Sequence, residues 1–322
     1  MIRREVITLL GGAAAWPLAA RAQQPAALPV IGFLHLTSRD ETRGYLVDFH
    51  QGLAQAGYIE GNNVAIEYRW GEGHNDRMPS LIADLVRRQV SVIVTLESTL
   101  TALAAKKATS TIPVVMLSGF APVESGLVAS LGHPGGNVTG IGVTPATLGT
   151  YVELLKEARP GLQRVAILRD ASFASQPTWE EAAKKFGVAA TVVDVPRAGD
   201  LDTAFETITK EGAEAIIVMP AGPLVVRIQD IAGFGFQNKL PTMVTSRALA
   251  EIGGFMSYGS PRDALYKRAA WYVDKVLRDG KPADLPVEEI SPLELVVNVK
   301  VAKILGMTVP PTLLQRANHV IE

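Results

Sequence analysis

Ser118 to Thr144 reads SGFAPVESGLVASLGHPGGNVTGIGVT, and its position in the chain decides the fold. It starts where the apolar run Val114-Val115-Met116-Leu117 stops. It carries the apolar residues Val123, Leu127 and Leu131, and ends in the glycine-rich Gly135-Gly136-Asn137-Val138-Thr139-Gly140. One series of strand-then-helix patterns precedes it and a similar series begins after it. The stretch is therefore read as a ligand loop followed by a first crossing between two lobes.

Outward from it, the first series is regular. Val30 to Leu36 is apolar on both faces, as a buried parallel strand is, with Thr37 and Ser38 just past its end. A helix over about Thr42 to Ala56 presents Leu46, Phe49 and Leu53 on one face and ends at Gly57. Val64 to Tyr68 is a second strand, and Asp76 is placed to cap the helix that follows. Val92 to Thr95 is the third strand, leading to Glu97-Ser98-Thr99, an alanine-rich helix and the fourth strand.

The second series repeats this order. It has strands at Val165–Leu168, Thr191–Val195, Ala215–Met219 and Thr242–Thr245, with helices between them. Thr111-Ile112-Pro113-Val114 matches Lys239-Leu240-Pro241-Thr242, each introducing a fourth strand at an offset on the order of 130 residues, the size of one domain. Regular alternation implies parallel sheets with right-handed crossovers. Beyond Gly253, a short strand, a long helix from Ala264 to Leu277 and a further strand at Leu295–Asn298 break the repeat. The chain then crosses between lobes more than once, which makes a hinge. The expected class is α/β, two Rossmann-like lobes with parallel sheets. Lobe 1 is expected to span 28–142 plus about 260–290, and lobe 2 to span 143–259 plus about 291–322.

Composition excludes several classes. With 322 residues, 48% hydrophobic and 20% charged, the chain has material for two cores. A net charge of −1 and the absence of a basic tract give no reason to expect a nucleic-acid partner. No cysteine means no disulfide, no thiolate nucleophile and no cysteine-ligated metal. Residues 1–24 have the order of a secretory signal peptide: Arg3-Arg4, the apolar Val6–Ala15, then Ala20-Arg21-Ala22 as a cleavage site. The paired arginines point to the twin-arginine route. No later run reaches the length of a membrane span, so the mature chain is expected to be soluble, periplasmic and monomeric.

Ligands of open α/β sheets bind beyond the carboxyl ends of the strands. That rule collects Thr37, Ser38, Glu97, Ser98, Thr99, Ser118, Gly119 and Phe120 in the first lobe. In the second it collects Ser172, Phe173, Ala221, Gly222, Ser246 and Arg247, with Tyr258 near a crossing. Ser98 or Thr99 at a helix start, or Arg247 bidentately, would hold a carboxylate. Glu97 would meet an ammonium, and Phe120 with Phe173 would sandwich a flat or apolar part. Each also has a structural role open to it: a plain cap for the hydroxyls, core for Phe120, solvent for Arg247. The five histidines are scattered, there is no HExxH, GxSxG or Walker A motif, and no metal or cofactor is expected. His35, inside the first strand, reads as a buried, hydrogen-bonded residue.

The segments Phe49–Leu53, Gly57–Val64, Glu67–Trp70, Gly126–Leu131, Pro134–Gly140, Met256–Gly259, Lys281–Pro286 and Thr308–Leu314 carry a family resemblance. The chain resembles the ABC-transporter substrate-binding proteins of the tryptophan/tyrosine-binding-like group along nearly its whole length. That resemblance implies a type I periplasmic-binding fold with three hinge crossings. It also implies a small ligand clamped between the lobes and delivery to an ABC permease with its ATPase. A receptor-docking sensor and a cleft enzyme such as a hydrolase or isomerase are the alternatives. The chain departs from the family at Glu97-Ser98, where Gly-Gly is usual, and at Phe120-Ala121-Pro122-Val123, where Gly-Asp-Pro-Val is usual.

Overall fold

The computed structural model describes residues 28–322 except 97, 144, 171–177, 196–197, 220–223, 225–226 and 279. The expected signal segment (1–24), Glu97, Ser172, Phe173, Ala221 and Gly222 thus lie outside the described residues.

The first sheet has six strands. They are β1 (Val30–His35), β2 (Ala65–Trp70), β3 (Val92–Leu96), β4 (Val114–Phe120), β5 (Val138–Val143) and β11 (Glu288–Glu289), in the order β11-β5-β4-β3-β1-β2. All its pairings are parallel. Helices α1 (Arg39–Gln55) and α9 (Arg262–Leu277) cover one face, where Phe33, Phe49, Leu53, Tyr266 and Ala270 form a core. Helices α2 (Met78–Arg87) and α3 (Thr99–Ala108) cover the other, with Ile82, Leu85, Ala102 and Ile93 buried together. These strands are apolar on both sides because both sides are covered.

The second sheet has seven strands in the order β13-β12-β10-β9-β8-β6-β7. They are β6 (Arg164–Asp170), β7 (Ala189–Val195), β8 (Ala215–Met219), β9 (Thr242–Val244), β10 (Met256–Gly259), β12 (Glu294–Asn298) and β13 (His319–Ile321). Only the β10–β12 pairing is antiparallel. One face packs α4 (Pro145–Ala158), α5 (Thr178–Lys184), α10 (Val299–Leu305) and α11 (Pro311–Arg316); the other packs α6 (Leu201–Lys210), α7 (Ile228–Gln237) and α8 (Arg247–Ile252).

The chain changes sheet three times: after β5, after β10, and between β11 and β12. Two glycines permit the close backbone approaches at these crossings. A Cβ on Gly140 would lie 2.1 Å from the Met116 carbonyl oxygen, in a backbone with φ +128°, and one on Gly259 would lie 1.9 Å from that of Thr245. Only glycine fits such contacts.

One local expectation changes, and the structure adds details the sequence does not show. Asp76 does not cap α2: it sits in a 3₁₀ turn over Asn75–Arg77, and α2 starts at Met78 with Pro79 and no side-chain cap. Proline in the first turn has no N–H to satisfy, so a cap matters less there. β11 and β13 were not anticipated; each is two or three residues long and exists through pairing with a remote strand, Glu288 with Ile141 and Val296 with His319. Asn137 of the Asn-Val-Thr sequence donates through Nδ2 to the Thr109 and Ile112 carbonyls, so its amide closes the loop before β4.

Candidate functional site

At the carboxyl edge of the first sheet the predicted hydroxyls hold the scaffold. His35 is buried; the Thr37 amide donates to its Nδ1 at 3.1 Å, so Nε2 carries the proton toward the Tyr266 hydroxyl, also at 3.1 Å. Ser38 is half-buried, and its carbonyl accepts from Thr42 at 3.0 Å. Ser98 caps α3, its side chain accepting from the Thr101 amide at 3.2 Å. Thr99 Oγ1 accepts from the Phe120 amide at 2.8 Å and so ties the start of α3 to the end of β4.

Ser118 and Gly119 stand in β4, where the register with β5 shifts between Met116 and Gly119 before Gly119 pairs with Gly142. The shift re-aims the strand end. Phe120, expected as a plate for ligand, is instead 1% exposed and stacks on Trp179 of α5, with centroids 5.7 Å apart and planes within 5°. The physical reason is the turn that follows. Ala121 has φ +43°, and with Phe120 it joins the core formed by Tyr151, Val152 and Trp179 on the second sheet's helices. The Phe120 ring therefore packs one lobe onto the other.

Around the second sheet, Tyr258 on β10 meets Tyr151 edge-on at 6.0 Å. Burial pushes the Tyr151 hydroxyl's pKa up, with Tyr258 adding to the effect, so the group is neutral at any physiological pH. Arg247 is half-exposed and its Nε donates to Glu251 one turn along α8 at 2.9 Å, so part of the guanidinium fork is occupied. Sequence reasoning missed Arg169. At the carboxyl end of β6 it is 5% exposed, holds Asp194 through Nε at 2.7 Å, and keeps Nη1 buried without a partner. The available signal was a lone guanidinium ending the apolar run Val165–Leu168, since buried charges need a specific reason.

Beside the crossings lies a cavity of about 370 Å³ lined by Tyr45, Ser246, Arg247, Ser260, Glu294 and His319, among others. It brings Ser246 and Arg247 together. Thr37, Ser38, Ser98, Thr99, Phe120 and Tyr258 are not in its lining. Among the described residues no group of three or more histidines, aspartates or glutamates is placed to hold a metal ion. No described helix is long and apolar enough to cross a membrane.

Two covered, mostly parallel sheets, exchanged three times by one chain, define a two-lobed binding protein of the type I periplasmic-binding architecture. The chain belongs to the ABC transporter substrate binding protein family, whose model matches residues 28–321. A tyrosine-binding protein of Clostridioides difficile (strain R20291) is 25% identical over 264 residues, 80% of this chain and 75% of that protein. An ABC domain from Streptococcus pneumonia, solved in complex with L-Trp, superimposes with a TM-score of 0.82 at 27% identity, over 92% of this chain and 100% of that one. A conserved domain protein from Vibrio cholerae O1 gives a TM-score of 0.83 at 25% identity, over 91% and 99% of the two chains.

Proposed function

We propose that this chain is the exported solute-binding subunit of an ABC importer, clamping a small amino-acid-like ligand between its lobes. The ligand is zwitterionic or carries a carboxylate. The observation that carries the reading is the opposition of two parallel sheets across three crossings, in a chain whose similar proteins include a tyrosine binder and an L-Trp complex. Lobe 1 comprises 28–142 with about 260–290, and lobe 2 comprises 143–259 with about 291–322; residues 1–24 direct export to the periplasm. Contacts from both lobes exist together only when the cleft is shut, so ligand shifts the population toward the closed form. The permease then takes up the closed, loaded protein.

The ligand contacts are the strand-end groups Thr37, Ser38, Glu97, Ser98, Thr99, Ser118 and Gly119 on one side and Ser172, Phe173, Ala221, Gly222, Ser246, Arg247 and Tyr258 on the other. The buried Arg169 stands behind them at the end of β6. No catalytic step is part of this reading. Calorimetry with L-tyrosine, L-tryptophan, other amino acids, and neutral and amine-only compounds tests it. Saturable binding of an amino acid, with a smaller radius of gyration in the bound state, is the expected result. Binding confined to neutral or cationic compounds would overturn the carboxylate assignment, and turnover of a bound compound would overturn the assignment as a binding subunit. The importer role is tested by ligand-dependent stimulation of a reconstituted permease–ATPase.

A further inference from the structure

Two buried donors at the end of β6 lack an acceptor. Arg169 is 5% exposed, and its Nη1 has no hydrogen-bond partner. Trp179, at the start of α5, is 1% exposed, and its indole Nε1 has none either. Both lie on one face of the second sheet: Arg169 is in phase with Val165 and Ile167 along β6, and those two share a core with Trp179. A buried donor left unpaired is costly and uncommon. A guanidinium is the extreme case, because it cannot shed its charge.

The direction of the unpaired nitrogen follows from the ion pair. Asp194 Oδ1 accepts from Nε at 2.7 Å and Oδ2 from Nη2 at 3.3 Å, so the carboxylate lies along the Nε–Nη2 edge of a planar group. Nη1 is the opposite corner and points away from Asp194. Asp194 belongs to β7, which pairs with one side of β6, while β8 pairs with the other. Nη1 is therefore directed toward the β8 side. At β6 and β8 the chain leaves the sheet to opposite faces, since α5 packs on one face and α7 on the other. Such a divergence opens the crevice in which ligands of α/β sheets bind.

Asp194 takes two of the five N–H groups that a guanidinium carries. Both hydrogens of Nη1 and the second of Nη2 remain, and together they make the end-on fork that matches a carboxylate. Arg247, the other guanidinium at a strand end of this sheet, is half-exposed and tied to Glu251, so water screens whatever it holds. We infer that Arg169 is the carboxylate anchor of the cleft, the residue through which the protein selects acids over their amides. Asp194 positions the guanidinium, and the Nη1–Nη2 fork receives the two carboxylate oxygens at the floor of the site. The anchor rests on the clamp proposed above: Nη1 is out of reach of water, so its acceptor arrives as the lobes open and close around a ligand.

Calorimetry on the full mature chain tests this with three sets of compounds. They are L-tyrosine and L-tryptophan, the corresponding L-tyrosinamide and L-tryptophanamide, and phenylacetate and indoleacetate, acids that lack the ammonium. Wild type is expected to bind acids and to bind the amides about tenfold or more weakly, the loss of charge-assisted hydrogen bonds. Arg169→Gln, checked for folding by circular dichroism, is expected to bind acid and amide within about twofold of each other. That ratio is the readout, since a merely structural role would weaken both alike. Arg169→Lys keeps the charge without the fork and should give an intermediate ratio; it carries the test if Arg169→Gln fails to fold. The assignment falls if a folded variant keeps the wild-type ratio, if wild type binds amides as tightly as acids, or if no acid binds. Amino acids bound with a ratio that Arg169 does not control would sink this anchor and leave the binding-subunit reading standing. Binding of phenylacetate or indoleacetate but of no amino acid, lost in Arg169→Gln, would end the amino-acid reading and leave the anchor in place.

Discussion

Ser98 and Ser246 make an instructive pair. Each follows a parallel strand, one in the first sheet and one in the second, and each stands at the N-cap of the next helix with φ near −148°. Both are buried, at 3% and 8% exposure. Ser98 has ψ 114° and accepts from Thr101; Ser246 has ψ 154° and accepts from nothing. The same residue in the same position is thus a structural cap in one lobe and an unused hydroxyl beside a cavity in the other. The difference lies in backbone orientation, which packing around each strand end sets. The first sheet's edge is closed by its own hydrogen bonds, whereas the second keeps polar groups in reserve.

That contrast can be broken or sharpened by substitution. The largest effect is expected at Phe120, the lobe-to-lobe contact next to the Ser98 cap. Phe120→Ala removes a buried ring stacked on Trp179 and should cost about 3–5 kcal/mol of stability, read from urea denaturation. A loss below about 1 kcal/mol would show that the ring is not core. Next, Ser98→Ala should cost about 1 kcal/mol through the lost cap. Ser246→Ala should change stability by less than about 0.5 kcal/mol, since it breaks no bond. Equal losses at the two serines would erase the comparison.

A last test is a pH dependence far from either serine. The Arg69 hydrogen bond, reinforced by Arg88, holds Asp84 down to about 2 from its ordinary 3.8. A depressed carboxylate stabilises above its unfolded pKa and loses that contribution as pH falls through the folded one. The stability gap between wild type and Asp84→Asn should therefore be full at neutral pH and shrink between about pH 4 and pH 2. A gap that stays constant across that window would show that the pair contributes nothing through charge.

Much of the fold was legible because its signals are local. Two-sided apolar runs such as Ile31–Leu34 and Ile216–Val218, short and alternating with helical patterns, read as covered parallel strands, and the repeated proline before β4 and β9 marks the second lobe. The candidate site was less legible. Thr37, Ser98 and Thr99 were found at strand ends as expected, yet their hydroxyls hold His35, α3 and β4 in place. Hydroxyl chemistry is identical in a cap and in a ligand contact, so residue type cannot separate the two. Arg169 escaped notice because a charge closing an apolar strand reads as a solvated end. Only the packing around β6 and the partner at Asp194 show that it is buried.

The sequence by itself determined the α/β alternation, the two series and the family, since strand and helix periodicity and motif segments need no knowledge of what lies opposite. The tertiary structure decided what depends on partners remote in the chain. It set the short β11 and β13, which exist only through their pairing. It put Phe120 onto Trp179 instead of into a cleft. It also set the 40° difference in ψ that leaves Ser246 free where Ser98 is bound. Each of these is a balance of contacts between segments that local propensity does not see.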